Sequence, residues 1–264
     1  VTKKQERDRA RRRWEKQQAT QAARAENRAR TKRIAAIAGT AIVVAALVGG
    51  LAVALKPEEP AKPQLTAAGC EQPPQPLGTS AKLELPDKAT AKGATWTATL
   101  TTNCGDIVMD LDGAKAPQAV ASFVQLARAD YWLNSPCHRL GVADGFKLLQ
   151  CGSPSGAGDD SPGYGFGVEN APTDGKYPRG AVAMARTSDP KAGNGGQFFI
   201  INGETSLPDP NGYTIFGTVT KGLDIVDKVA AQGVQPGGES ETIGAPNAPI
   251  SILRVAVTEK KAQP

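Results

Sequence analysis

The sequence predicts a mainly β domain, a closed barrel with helical covers, preceded by one membrane-spanning helix. Three observations carry this prediction. Glycine and proline are frequent, 29 and 20 of 264 residues, which favours a loop-rich β architecture over a helical bundle. From about residue 94 short strands recur between those residues, and only two segments have a helical pattern. Ahead of them, residues 34–55 run without one charged or strongly polar side chain.

The basic character of the chain belongs to its first segment. Residues 1–33 hold 13 Lys/Arg against four Asp/Glu, a balance of +9, so with a net charge of +5 the remainder carries −4. A basic tail suits nucleic acid or acidic lipid headgroups, and the apolar run behind it decides for the membrane. No nucleic-acid partner is expected. As a helix, residues 34–55 span about 30 Å, the hydrocarbon thickness of a bilayer. Buried core helices of that length without a polar face are rare. Arg30, Lys32 and Arg33 flank the run and place that side in the cytoplasm, so the segments after it lie outside. Ala52-Val53-Ala54 resembles a signal-cleavage site and Ala67-Ala68-Gly69-Cys70 a lipoprotein site. The long basic leader, and the charged KPEEPAKP between the run and Cys70, favour an uncleaved single-pass anchor. Residues 56–93, rich in Pro, Lys, Glu and Ala without periodicity, read as a semi-extended linker.

The folded domain is expected over residues 94–258, with a short tail at 259–264. Thr95–Leu100 and Ile107–Leu111 read as strands around an Asn103-Cys104-Gly105-Asp106 turn. Pro117 suits the first position of a helix in which Val120, Phe123, Val124 and Ala127 share a face. Further strands are Ala181–Ala185, Gln197–Asn202, Thr214–Val219 and Ile250–Thr258, with a second helix over Leu223–Ala230. Cys137–Leu140 and Leu148–Cys151 form the arms of a hairpin.

Four cysteines, Cys70, Cys104, Cys137 and Cys151, permit two disulfides in an exported domain. Cys137 and Cys151 end opposed hairpin arms, about 5.5 Å apart at Cα and within disulfide reach. Cys70 with Cys104 would then pin the linker to the first strands; buried free thiols are the alternative. With no CxxC pair and one histidine, no metal site is expected.

Several motifs carry chemistry when taken together. They are Cys137-His138-Arg139-Leu140, Gly145-Phe146-Lys147-Leu148-Leu149-Gln150-Cys151-Gly152, Ala183-Met184-Ala185, the run Gly193–Ile200, and Ile215–Val219. In this order and spacing they resemble the cyclophilins, over about Ala94 to Thr258, and the layout is most similar to membrane-anchored cyclophilins of actinobacteria. The resemblance implies an eight-stranded antiparallel barrel capped by two helices. It also implies peptidyl-prolyl cis-trans isomerase activity on proline-containing segments of exported polypeptides, with no cofactor. A catalytically weak peptide-binding or scaffold module on the same fold is the alternative.

The chemistry sets modest demands. Rotation about X–Pro meets a barrier of about 18–20 kcal/mol because the C–N bond is partly double, yet no bond breaks. An apolar slot for the ring, a donor to the pyramidal prolyl nitrogen and anchors for one side of the amide suffice. The resemblance gives the donor role to Arg139, the slot floor to Phe199, and substrate or arginine contacts to Gln150 and Gln197. It gives further apolar wall to Phe146 and Leu148, and substrate contacts to Met184, Ala185, Arg186 and Thr187. Leu207 and Tyr213 fill rim places usually held by Trp and His. Arg186 replaces a usual Asn, which adds a positive charge, and the loop Thr187–Asn194 is longer by about two residues. Losing the indole N–H at Leu207 implies weak cyclosporin binding. His138, adjacent to Arg139 in a strand, faces the other way and is structural. The Gly-rich run Gly152–Gly167 lacks the GK[ST] ending of a phosphate loop and reads as a surface loop beside the groove.

Overall fold

A computed structural model describes residues 65–78 and 81–260 of the chain. These belong to Lys62–Pro264, one of the two units into which the chain divides. The basic tail 1–33, the expected span 34–55 and the first part of the linker lie outside the described residues. Among those described, no helix is long and apolar enough to cross a membrane.

Two helices and twelve strands alternate along the domain. The strands are β1 (Thr95–Thr102), β2 (Gly105–Asp112), β3 (Ser135–Pro136), β4 (Arg139–Ala143), β5 (Phe146–Cys151) and β6 (Lys176–Tyr177). They continue as β7 (Ala181–Arg186), β8 (Asn194–Ile201), β9 (Thr205–Ser206), β10 (Ile215–Lys221), β11 (Ile243–Gly244) and β12 (Ser251–Glu259). Helix α1 (Pro117–Arg128) follows β2 and α2 (Leu223–Ala230) follows β10. Ten strands form one antiparallel sheet in the order β11-β4-β5-β8-β7-β10-β2-β1-β12-β3, while β6 and β9 pair separately. The eight strands of five residues or more lie side by side within that order, from β4 to β12.

The sheet curls, but its seam departs from the expected closed barrel. β12 pairs with two-residue β3, which runs on through Cys137-His138 into β4, so no ladder joins β12 to β4 directly. Pro136 has no N–H to extend the pairing, and a last bond from Cys137 N to the Ile250 carbonyl (2.9 Å) ends it.

Period-two alternation divides the sheet's apolar residues between two cores. On β8, Phe198 and Ile200 enter the main core with Leu140, Leu149, Val182 and Met184, whereas Phe199 and Ile201 enter a second cluster with Leu148, Ala181 and Ala183. Phe123 of α1 packs in the main core against Trp132, Phe198 and Phe216, with ring centroids 4.6–5.6 Å apart. The expected face of α1, Val120, Phe123, Val124 and Ala127, is buried. Its N-terminal Ala116 offers no side-chain cap. The Glu169 carboxylate instead accepts from the Gln118 and Ala119 N–H groups at 3.0–3.1 Å, supplying the negative charge that a helix start favours.

Residues expected within the linker sit on the domain where they are described. Leu83 N donates to the Pro162 carbonyl (2.7 Å), and Gln125 and Gln118 donate to Glu84 and Pro86 (2.9 Å each). Asp87 caps a 3-10 turn, Lys88–Ala91, in which Ala91 is fully buried and accepts from Trp96 Nε1. The lack of periodicity was real, but docking here runs through main-chain carbonyls, which every residue type carries. Both expected disulfides are present, Cys70–Cys104 and Cys137–Cys151.

Candidate active site

Strand register draws the site residues into one row. Arg139 on β4 lies opposite Gln150 on β5, Gln150 opposite Phe199 on β8, Phe199 opposite Ala183 on β7, and Ala183 opposite Ile215 on β10. Directly paired residues point to one face, so a cation, an amide and an apolar floor stand in line at strand spacings of about 4.8 Å. Gln197, two residues before Phe199, joins the same face.

Phe199 (3 % exposed) and Leu148 (2 %) pack in an apolar cluster with Leu207, Tyr177, Ala183 and Ile201. Tyr213 meets the Phe199 ring edge-on at 5.7 Å and packs against that cluster. Phe146 packs against it too. Its ring folds back over Gly141, where any Cβ would collide with it, and the Arg139 guanidinium lies over that ring at 5.2 Å. A cation stacked on an aromatic face is held electrostatically as well as by packing.

A polar chain fixes the orientation of the glutamines. Gln197 Nε2 donates to the Gly158 carbonyl (2.8 Å), so its oxygen turns to accept from Gln150 Nε2 (3.0 Å). The Gln150 oxygen then faces Arg139 Nη1 at 3.5 Å. The Gly158 carbonyl is presented by the loop that the sequence placed beside the groove. Asp160 braces that loop by accepting from the Ser155 amide (2.9 Å) and from the Ser155 and Ser153 hydroxyls, and Ser153 accepts in turn from the Gly158 N–H. Burial alone would raise the Asp160 carboxyl, but these serine bonds outweigh it and hold the group below the ordinary range. Gln150 and Gln197 also border a cleft of about 360 Å³ lined on its far side by Ala185, Arg186 and Thr187.

Three expectations need correction. Met184 faces the main core at 3 % exposure and does not join the Phe199 cluster, because it alternates with Ala183 and Ala185 along β7. Leu207, expected on the rim, is 9 % exposed and packs within the Phe199 cluster. Arg186 adds no free charge to the rim. Its side chain is 3 % exposed, stacks on Tyr213 at 4.9 Å and donates to Gly212 O (2.9 Å), Thr187 O (2.8 Å) and Asp209 Oδ1 (2.5 Å). Arg139 is met by a carboxylate as well as by Gln150. Glu239 accepts from Nε (2.5 Å) and Nη2 (2.8 Å), and Arg139 holds the Glu239 carboxyl below its usual range. No motif marks Glu239, which lies in a Gly- and Pro-rich loop 100 residues away. His138 is half-buried, and burial followed by the Arg139 charge lowers its pKa.

The family model "Cyclophilin type peptidyl-prolyl cis-trans isomerase/CLD" matches residues 97–257. The probable peptidyl-prolyl cis-trans isomerase B of Mycobacterium tuberculosis (strain ATCC 25618 / H37Rv) is 36% identical over 215 residues, covering 75% of this chain and 67% of its own length. Its Mycobacterium leprae counterpart is 36% identical over 197 residues, covering 69% of this chain and 64% of its own length. A Cryptosporidium parvum cyclophilin type peptidyl-prolyl cis-trans isomerase, solved in the presence of the dipeptide Ala-Pro, superposes with a TM-score of 0.51 at 29% identity. That match covers 62% of this chain and 99% of the other. Residue row and family match coincide over the same stretch, and the chain belongs to the cyclophilin-type peptidyl-prolyl cis-trans isomerases.

Proposed function

We propose that the domain accelerates cis–trans isomerisation of X–Pro bonds in exported polypeptides, held at the outer face of a membrane by residues 34–55. The observation that carries the isomerase reading is the cross-strand row Arg139–Gln150–Phe199. The pyrrolidine ring seats on Phe199, Leu148 and Leu207, and the chain beyond it runs along Ala185–Thr187. As the amide twists, its nitrogen pyramidalises and gains a lone pair that Arg139 can bond. A planar prolyl nitrogen offers no such acceptor, so the interaction strengthens only on the way to the transition state. Uncatalysed isomerisation takes tens to hundreds of seconds, slow enough to limit folding.

A protease-coupled assay on Suc-Ala-Ala-Pro-Phe-p-nitroanilide tests the reading. Arg139→Ala should lower kcat/KM about 10²–10³-fold, the scale on which removal of one transition-state donor acts. Equal rates above background would remove Arg139 from the catalytic role, and rates at the uncatalysed level for both proteins would make the domain a non-catalytic peptide-binding module.

Attachment and topology rest on the apolar length of residues 34–55 and on the basic residues before it. Digestion of the domain by protease added outside intact spheroplasts is the expected result. Weak cyclosporin binding rests on the absence of an indole donor near Leu207, and inhibition in the nanomolar range would overturn it.

A further inference from the structure

We propose that Glu239 is a positioning residue for the isomerisation, holding the Arg139 guanidinium in the orientation that meets the prolyl nitrogen. The proposal rests on the reading of Arg139 as the donor to that nitrogen. A guanidinium has five N–H bonds in a fixed plane. Glu239 takes two of them side-on, from Nε and Nη2, and Gln150 lies at the limit of a third, from Nη1. Phe146 lies beneath the guanidinium. Plane, edge and one face are thereby specified, and one N–H on Nη1 and one on Nη2 remain for substrate.

The fold builds this contact deliberately into the strand that bears Arg139. Glu239 sits in the loop between α2 and β11, and β11 pairs directly with β4, Gly244 opposite Leu140 and Ile243 opposite Gly141. Val142 N donates to Thr242 O (2.9 Å), Ser240 N to Ile243 O (3.1 Å) and Gln235 N to Ala245 O (2.7 Å), which ties down both ends of the loop. At its tip Gly237 has φ +85°, and a Cβ on Gly238 would run into the Ile243 carbonyl. Glycine at these two positions lets the loop turn tightly enough to bring Glu239 over β4.

An exposed ion pair normally adds little stability. The Glu239 side chain is 57 % exposed, so the pair contributes little to folding, and its work falls on the direction of a long side chain with many rotamers. A bidentate carboxylate restricts those rotamers before substrate arrives, which lowers the barrier without adding a contact to substrate. It also offsets the guanidinium charge, so Arg139 acts through aimed hydrogen bonds more than through net charge.

Saturation kinetics on the full chain with Suc-Ala-Ala-Pro-Phe-p-nitroanilide test this, with Arg139→Ala, Glu239→Ala, Glu239→Gln and Glu241→Gln measured together. Glu239→Ala should lower kcat about tenfold, about 1.4 kcal/mol of barrier, with KM within about twofold and Tm unchanged. Glu239→Gln, which keeps one acceptor oxygen, should fall between it and the parent. Glu241→Gln removes an exposed carboxylate two residues on and should leave kcat unaltered, separating the specific contact from general charge. In the Arg139→Ala background Glu239→Ala should have no further effect. A kcat that is unchanged or raised in Glu239→Ala overturns the proposal, the latter by showing that the carboxylate competes with substrate. An equal loss in the Arg139→Ala background overturns it too. Full activity in Arg139→Ala would sink the active-site reading itself, an outcome distinct from failure of the Glu239 proposal alone.

Discussion

Two arginines stand beside the Phe199 cluster, and each is met by a carboxylate with a different consequence. Glu239 and Gln150 leave one N–H on each terminal nitrogen of Arg139, whereas Arg186 spends its donors on Gly212, Thr187 and Asp209 and so ties the loop Leu207–Tyr213 to the end of β7. That loop carries Leu207 into the cluster and Tyr213 against Phe199. Arg186→Ala should therefore raise KM about three- to tenfold, the scale of one hydrogen bond's net worth near 1 kcal/mol, while kcat for bound peptide changes less than about twofold. Arg186→Lys should not restore KM, because one ammonium cannot reach three acceptors that a planar fork spans. A fall in kcat with unchanged KM would place Arg186 in the chemistry instead. Of these residues, Arg139, Gln150, Gln197 and Phe199 sit in strands whose pattern could be read from the sequence, and register brings them to one face. Glu239 and Asp209 were not legible, since each reaches its arginine from a Gly/Pro-rich loop, 100 and 23 residues away, with no period to reveal which way a side chain turns.

The long elements were legible for the same reason that the loops were not. Helix α2 begins and ends where its apolar spacing predicts, and all eight long strands fall on predicted segments, within three residues at their ends. The two-residue strands β3, β6, β9 and β11 are too short to carry a period, yet β11 places Glu239 and β3 makes the seam. The hairpin β4–β5 bears both Arg139 and Gln150, and Cys137–Cys151 ties its arms beside that pair. Cys70–Cys104 instead tethers the segment before the sheet to the β1–β2 turn, with Glu71 and Asn103 exchanging bonds of 2.7 and 3.1 Å. Chain-entropy arguments for loops closed over 14 and 34 residues make each bridge worth about 3–4 kcal/mol. Their effects on turnover should differ. Cys137→Ala/Cys151→Ala should lower both Tm and kcat/KM, because the arms carrying the donor and its amide partner lose their tie. Cys70→Ala/Cys104→Ala should lower Tm and leave kcat/KM within about twofold of the parent, by the independence expected of distant sites. Equal losses of kcat/KM in the two double variants would show that the hairpin bridge has no special link to the site.

Among the described residues, the titrating groups that shift do so in directions that confine stability to a window of pH. Burial, then the Arg139 charge, lowers His138 below its ordinary 6.5; Asp160 and Glu239 are the carboxylates facing it. The Arg139 bond lowers Glu239 below its ordinary 4.5. Asp160, bonded by Ser153 and Ser155 against the effect of burial, and Asp209, bonded first by the Asn211 amide, lie below their ordinary 3.8. Each of these binds a proton more readily in the unfolded chain, so stability is lost as pH falls, first through His138 below 6.5 and then through the carboxylates. Burial raises Tyr164 and Tyr177 above 10.0, so the unfolded chain releases those protons first and stability is lost again as pH rises past that value. Tm should therefore be highest and flat between about pH 6.5 and 10, the bounds set by those ordinary values. The acid limb is cleanly assignable because the chain has one histidine. One proton limits the slope between pH 6.5 and 5 to about 1.4 kcal/mol per unit. His138→Gln should remove that slope while leaving the steeper loss below pH 4.5, where carboxylates accept protons. An unchanged slope in the variant would mean that His138 is as easily protonated in the folded domain as in the unfolded chain, and that its burial against Arg139 imposes no cost.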